Sequence, residues 1–268
     1  MEYYDQHMHT NFSFDSKEKM ENYLSLVGNR MVTTEHLEFN NPEEKNQDSV
    51  PDYDAYVKEI NRLKEKSGKR IYRGVEIGYS AGQEDKIRDY LAKHEFDVKI
   101  LSFHQNGDLD FMNDKVRHMD PIDVATQYYK MMWKGINAFH DADILAHFDY
   151  GIRKLNLTSG MFQTTAGVLL TNIFKIAIRH DMAFELNTKS MYKYHNIGLY
   201  DYAIEIYKQL GGKRFTIGSD AHDAKNVYSH YDEALEMLKA HDIHHINIYS
   251  NNAMTVMPID DVDEGIRY

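Results

Sequence analysis

The sequence predicts an α/β protein: a TIM-like barrel of parallel strands and outer helices, carried by a single domain. Runs rich in Ile, Val, Phe and Tyr alternate with helical periodicity roughly seven or eight times, as in a parallel sheet whose strands are joined by helices. The length, 268 residues, falls within the range of one α/β barrel. No linker and no internal repeat divides the chain.

The elements follow in order. Residues 3–9 read as a strand running into a loop, and residues 17–26 as a helix with Ser16 as N-cap. A strand over 31–34 ends at Glu35 and His36. Residues 37–52 are polar and acidic and contain Pro42 and Pro51, which predicts a loop. Residues 54–66 carry Val57, Ile60 and Leu63 on one helical face, with Gly68 as the stop. A strand over 71–77 holds Glu76, a helix covers 84–94, and a strand over 98–103 ends at His104. A second long loop, 105–119, leads to Asp120-Pro121, an N-cap followed by proline in the first turn. Next come a strand over 144–148 with His147, an apolar helix over 162–179 and a strand over 183–187. A helix over 200–210 stops at Gly211-Gly212, and a strand over 215–218 runs straight into Ser219-Asp220-Ala221-His222. A helix over 231–239 and a strand over 246–249 complete the pattern. The tail over 252–268 carries four acidic residues and is expected to be partly loose.

Composition narrows the function. The chain has no cysteine, which excludes disulfides and thiolate metal sites. No run approaches a membrane span, and Glu2 and Asp5 stand where a signal peptide would be basic and then apolar, so a cytoplasmic enzyme with no membrane partner is expected. The net charge of −11 and the lack of a basic stripe argue against long nucleic acid as a partner. Part of that negative charge suits a site that takes up cations.

The chemistry starts at His7 and His9. Positions two apart on a strand share a face, so both imidazoles can reach one ion. His36, Glu76, His104, His147, Asp220 and His222 all stand at or just past predicted strand ends, which share one rim in a parallel barrel. Asp15, in the loop after the first strand, reaches the same mouth. Glu76 is the least easily explained otherwise, because a carboxylate inside an apolar strand is costly unless paired or bound to a cation. Nine N/O donors and no sulfur exceed one tetrahedral ion and call for roughly two or three metals. Clustered ions activate water and grip phosphoryl oxygens. Arg153, six residues past His147, is the expected guanidinium fork for phosphate. Of the other nine histidines, His195 is kept as a substrate contact because it lies between a strand end and the next helix.

Several segments together resemble the histidinol-phosphate phosphatases of the PHP (polymerase and histidinol phosphatase) family. They are DQHMHTNFSFDS (5–16), TTEH (33–36), RGVEIGY (73–79), ILSFH (100–104) with LDF (109–111), ILAHFDYGIRK (144–154), FELNTKS (184–190) and TIGSDAH (216–222). The resemblance implies a distorted seven-stranded barrel with up to three divalent ions, zinc, manganese or iron. It implies that His7, His9, Glu76 and Asp220 hold one ion, that Glu76 bridges to a second held by His104 and His147, and that Asp15, His36 and His222 hold the third. The implied reaction is hydrolysis of L-histidinol phosphate to L-histidinol and phosphate in histidine biosynthesis, by a hydroxide bridging two metals. Arg153 would stabilise phosphoryl charge, and Asp15, Asp220 and His222 are candidates for proton donation to the leaving group. Glu43, Glu44 and Asp110 are available to meet the cationic groups of the substrate. The alternatives are another PHP phosphoesterase, acting on short nucleotides or phosphotyrosine, and a non-catalytic metal-binding module.

Overall fold

The structure, a computed structural model, describes residues 3–261. Its centre is a seven-stranded sheet in the order β2-β1-β3-β4-β5-β6-β7. The strands are β1 (Arg30–Asn41), β2 (Gln47–Ser49), β3 (Arg70–Gly78), β4 (Val98–Ser102), β5 (Ile144–Leu145), β6 (Ala183–Asn187) and β7 (Phe215–Gly218). From β1 through β7, leaving out the short antiparallel β2, every pairing is parallel. The helices are α1 (Met20–Tyr23), α2 (Tyr53–Ser67), α3 (Glu84–Lys93), α4 (Pro121–Ala138), α5 (Ser159–Arg179), α6 (Ile197–Gln209) and α7 (Tyr231–Ala240). Helices α2 to α6 are the crossovers that parallel pairing requires. Their buried faces, such as Tyr56, Ile60 and Leu63 of α2, pack on the outside of the sheet.

The expected first strand is not a regular one. Residues 3–9 lie between β1 and β7 and close the barrel, but among the described residues their only ladder contact is the parallel bridge Met8–Ala221. Thr34 N donates to Met8 O (2.7 Å), His9 N to Ala221 O (2.8 Å) and Asp220 N to His7 O (2.8 Å). Side chains supply the rest. The Tyr3 hydroxyl donates to Ile217 O and accepts from Ile217 N, and Asp5 Oδ1 accepts from Ser219 N.

Other boundaries move for local reasons. The helix expected over 17–26 shrinks to α1, which starts after Lys19 with no side-chain cap, while Ser16 Oγ accepts from Glu18 N and donates to His222 O. The expected loop over 37–52 is half strand. β1 continues to Asn41, with Leu37 opposite Ile77 and Glu38 opposite Gly78, before a short 3₁₀ turn and β2. β5 ends at Leu145, short of the 148 expected, because the chain turns into the 3₁₀ segment Tyr150–Ile152. The Asp120 cap is as read, accepting from Ile122 N and Asp123 N.

The last strand, β8 (His245–Ser250), leaves the barrel sheet and pairs antiparallel with β9 (Ala253–Pro258). So 253–258, expected loose, are ordered in a hairpin, while 262–268 lie outside the described residues. Helix α5 is long and apolar enough to cross a membrane, contrary to the expectation that no run is. Its Phe162, Ala166, Leu170, Ile173 and Phe174 are buried in the protein core.

Candidate metal centre

The predicted ligands come from the N-terminal segment, from within β1 and β3, from the turns just past β4, β5 and β7, and from one loop, and the closure of the barrel brings them to one mouth. His7 and His9 arrive on the N-terminal segment, His36 on β1, Glu76 on β3, and His104 and His147 just past β4 and β5. Asp220 and His222 follow β7, and Asp15 reaches in from its loop.

Glu76 is the hub. Its Oε2 stands 3.3 Å from both His7 Nε2 and His9 Nε2 and 3.1 Å from His36 Nδ1. Its Oε1 stands 3.2 Å from His104 Nε2 and 2.8 Å from His147 Nε2. Asp220 Oδ1 approaches His9 Nε2 at 3.7 Å and His222 Nδ1 at 3.4 Å. Asp15 Oδ2 lies 2.9 Å from His222 Nε2 and 3.4 Å from His36 Nε2. Three overlapping triads have donor atoms close enough to share an ion: His7, His9 and Glu76; His36, Glu76 and His104; His9, His36 and His222.

The donor set fits divalent ions. Glu76 Oε2 and His36 Nδ1 are buried without a hydrogen-bond partner, an expensive arrangement unless a cation occupies the space between such groups. Protons fill the site only in part. Burial, reinforced by the charges of His36 and His222, holds His9 well below the usual histidine range, and burial also lowers His147. For Glu76, burial acts upward but is outweighed by His7, His36 and His104, which keep it ionised well below the usual carboxylate range. Against burial, Asp15 and Glu76 raise His36 to about 9. Against burial too, the facing carboxylates Glu185 and Glu76 raise His7, and Glu76 and Glu38 raise His104, well above the usual range. A divalent ion would take the place of protons on those three rings, while His9 and His147 stand neutral beside it. The absence of sulfur suits zinc, manganese or iron.

Beside the cluster is a cavity of about 580 Å³ lined by Asp15, His36, Glu76, His104, His147 and Asp220, among others. Arg153 forms its cationic wall. Its Nε donates to Ser190 Oγ (2.7 Å), and its Nη2 lies 3.2 Å from Asn187 Oδ1 and 3.4 Å from Asp220 Oδ2. The guanidinium is stacked over Tyr150 (4.9 Å) and Tyr194 (5.2 Å), which fixes its plane. Lys189 adds a second cation, with Nζ 3.0 Å from Asp220 Oδ1.

A model of the PHP domain matches residues 5–189. The chain belongs to the PHP domain family. A protein of Clostridium acetobutylicum described as probable histidinol-phosphatase is 28% identical over 239 residues, 87% of this chain and 92% of the relative. The histidinol-phosphatase of Lactococcus lactis is 25% identical over 272 residues, 98% of each chain. The solved structure of a Lactococcus lactis histidinol phosphate phosphatase, complexed with zinc, L-histidinol and phosphate, superposes with a TM-score of 0.83. That likeness covers 95% of this chain and 100% of the other at 22% identity, and it establishes the distorted TIM-barrel fold.

Within this PHP domain, the predicted ligands and Arg153 are gathered at one mouth, and His195 is not. It is exposed at positive φ in the turn before α6, outside the cavity lining, where Tyr192, Lys193 and Tyr194 stand instead. Asp110 does line the cavity, accepting from the Tyr150 hydroxyl (3.1 Å). Glu43 accepts from Asn113 Nδ2 and Glu44 lines a neighbouring depression, so neither reaches the main cavity. Sequence reasoning missed Glu38, Glu185, Lys189 and Tyr150. Glu185 carries the signal that singled out Glu76, a carboxylate within an apolar strand. Glu38 shares a strand face with His36, a signal hidden by reading 37–52 as loop.

Proposed function

We propose that this PHP domain is a metal-dependent phosphoric monoester hydrolase that converts L-histidinol phosphate and water to L-histidinol and phosphate, in the cytoplasm and as a step of histidine biosynthesis. The observation that carries the reading is the juxtaposition of a convergent imidazole–carboxylate cluster with a fixed, buried guanidinium on one cavity wall. The names of the relatives supply the substrate.

His7, His9, Glu76 and Asp220 would hold one divalent ion, Glu76, His104 and His147 a second, and Asp15, His36 and His222 a third. Bound there, the ions supply an acidified water and positive charge for phosphoryl oxygens. The rest falls to the chain. Arg153 offers N–H groups to the phosphoryl oxygens as charge shifts onto them, and its stacking and hydrogen bonds remove the need to reorganise. The Lys189 ammonium and the Tyr192–Tyr194 wall narrow the approach. Water oxygen bonds to phosphorus, the ester P–O bond breaks, and the alkoxide takes up a proton. Asp220 and Asp15 are poor sources of that proton. For both, burial acts upward but is outweighed, by Lys189 and His7 at Asp220 and by His36 and His222 at Asp15, so both stay ionised. Of the three candidate donors, His222 remains, on the solvent side of the cavity. Where it holds an ion, solvent at the mouth provides the proton.

The test is phosphate release from L-histidinol phosphate, phosphotyrosine, an aryl phosphate and a short oligonucleotide, with wild type and His104→Ala loaded with zinc or manganese. Fast turnover of L-histidinol phosphate alone, abolished in the variant, is expected. Equal slow rates on every ester would remove L-histidinol phosphate as the substrate, and no hydrolysis at all would favour a binding module.

A further inference from the structure

We propose that Glu38 and Glu185 are positioning residues of the metal centre, each fixing one imidazole with its Nε2 toward Glu76, and each seated against a glycine that leaves it room. The inference rests on reading the cluster as a metal centre and adds to it residues that would touch no ion themselves.

A neutral imidazole has one N–H and one lone pair, and the partner of the first decides where the second points. His7 Nδ1 lies 2.6 Å from Glu185 Oε1, and its Nε2 faces Glu76. His104 Nδ1 lies 2.5 Å from Glu38 Oε1, and its Nε2 faces Glu76 from the other side. A carboxylate only accepts, so each Nδ1 carries a proton, and when an ion takes the place of any proton on Nε2 the lone pair there points inward. His9 follows the same sense through a hydroxyl. Its Nδ1 is 3.2 Å from Ser13 Oγ, whose own proton goes to Glu35 Oε2 at 2.6 Å.

Both carboxylates are buried, at 3% and 1% exposure, and neither pairs with a lysine or arginine among the described residues. Removing such groups from water has a cost that only specific partners offset. Glu185 is also immobilised, because its Oε2 accepts from His147 N (2.8 Å) and Asn187 Nδ2 (3.2 Å). One side chain therefore aligns His7 and anchors the backbone of His147.

The glycines make the device specific. A Cβ on Gly78 would lie 1.9 Å from Glu38 Oε1, and one on Gly218 would lie 2.4 Å from Glu185 Oε1 and 2.5 Å from His7 Cβ. These residues end β3 and β7, and neither has positive φ, so what the site requires of them is a missing side chain. Two glycines on different strands play the same part behind two different histidines.

The test uses zinc as the probe. In zinc-loaded wild type, nitrogen-15 NMR of the histidine rings should show the proton on Nδ1 of His7 and His104 and zinc on Nε2. Glu38→Gln and Glu185→Gln should each weaken retention of zinc against a competing chelator by about 10–100-fold. Gly78→Ala and Gly218→Ala should match the glutamine variant of the carboxylate each displaces. Zinc-free melting curves report whether each variant folds. Folded variants with wild-type zinc retention would overturn the proposal. So would zinc on Nδ1 of either histidine, a result that needs no variant. Failure of the wild type to retain any zinc would instead overturn the metal reading beneath it.

Discussion

Around Glu76, five imidazole rings approach the two oxygens of one carboxylate. Glu76→Gln keeps the shape and removes the charge, so it should abolish shared metal binding and lower phosphate release by more than about 10²-fold, checked by metal analysis beside the assay. Arg153→Lys tests the fork. An ammonium cannot keep the Ser190, Asn187 and Asp220 contacts and also present a plane to phosphate. A fall in kcat/KM of about 10²-fold is expected, with metal content unchanged; a change below about threefold would remove Arg153 from the chemistry. These residues were legible because imidazoles at strand ends are conspicuous. The residues behind them were only half legible: Glu185 lies in an apolar strand as Glu76 does, but which nitrogen Glu38 and Glu185 each face is visible only in the fold.

At the scale of elements, the N-terminal segment is held as much by side chains as by strand pairing. Tyr3→Phe removes the acceptor for Ile217 N and a partner of the Tyr231 hydroxyl. Leaving a buried N–H unmet should cost about 1–3 kcal/mol, read from denaturant unfolding. Gly151→Ala would put a Cβ 2.1 Å from Tyr128 Cδ2 on α4. A loss of about 1–3 kcal/mol is expected, with reduced activity because the same turn carries Arg153. Strands and helices with clean periodicity, such as β6 and β7, were readable within a residue. The misjudged segments are those where tertiary contacts override local pattern. β1 runs on past His36 because Leu37 and Glu38 find Ile77 and Gly78, and β8 was read as a barrel strand because hydropathy does not say which sheet a strand joins.

For the whole molecule, the cluster makes stability depend on metal and pH together. In metal-free protein, burial pushes His36 down, but Asp15 and Glu76 outweigh it and raise it to about 9 from 6.5. A histidine raised on folding stabilises fully below 6.5, and that contribution is lost as pH rises through about 9. The melting temperature of chelator-stripped protein should therefore fall by several degrees over that window. The zinc-loaded protein should fall less, because an ion replaces the proton, so the gap between the two curves widens with pH; a constant gap would contradict this. The barrel also has a seam. Residues 3–9 meet one wall at β1, near them in sequence, and the other at 215–222, far along the chain. On the ribosome, then, His7 and His9 can lean on β1 early but must wait for β7 before their second wall exists. A nascent chain cannot assemble the full ligand set until synthesis has passed His222, so uptake of the full set of ions becomes a late event that marks a finished fold.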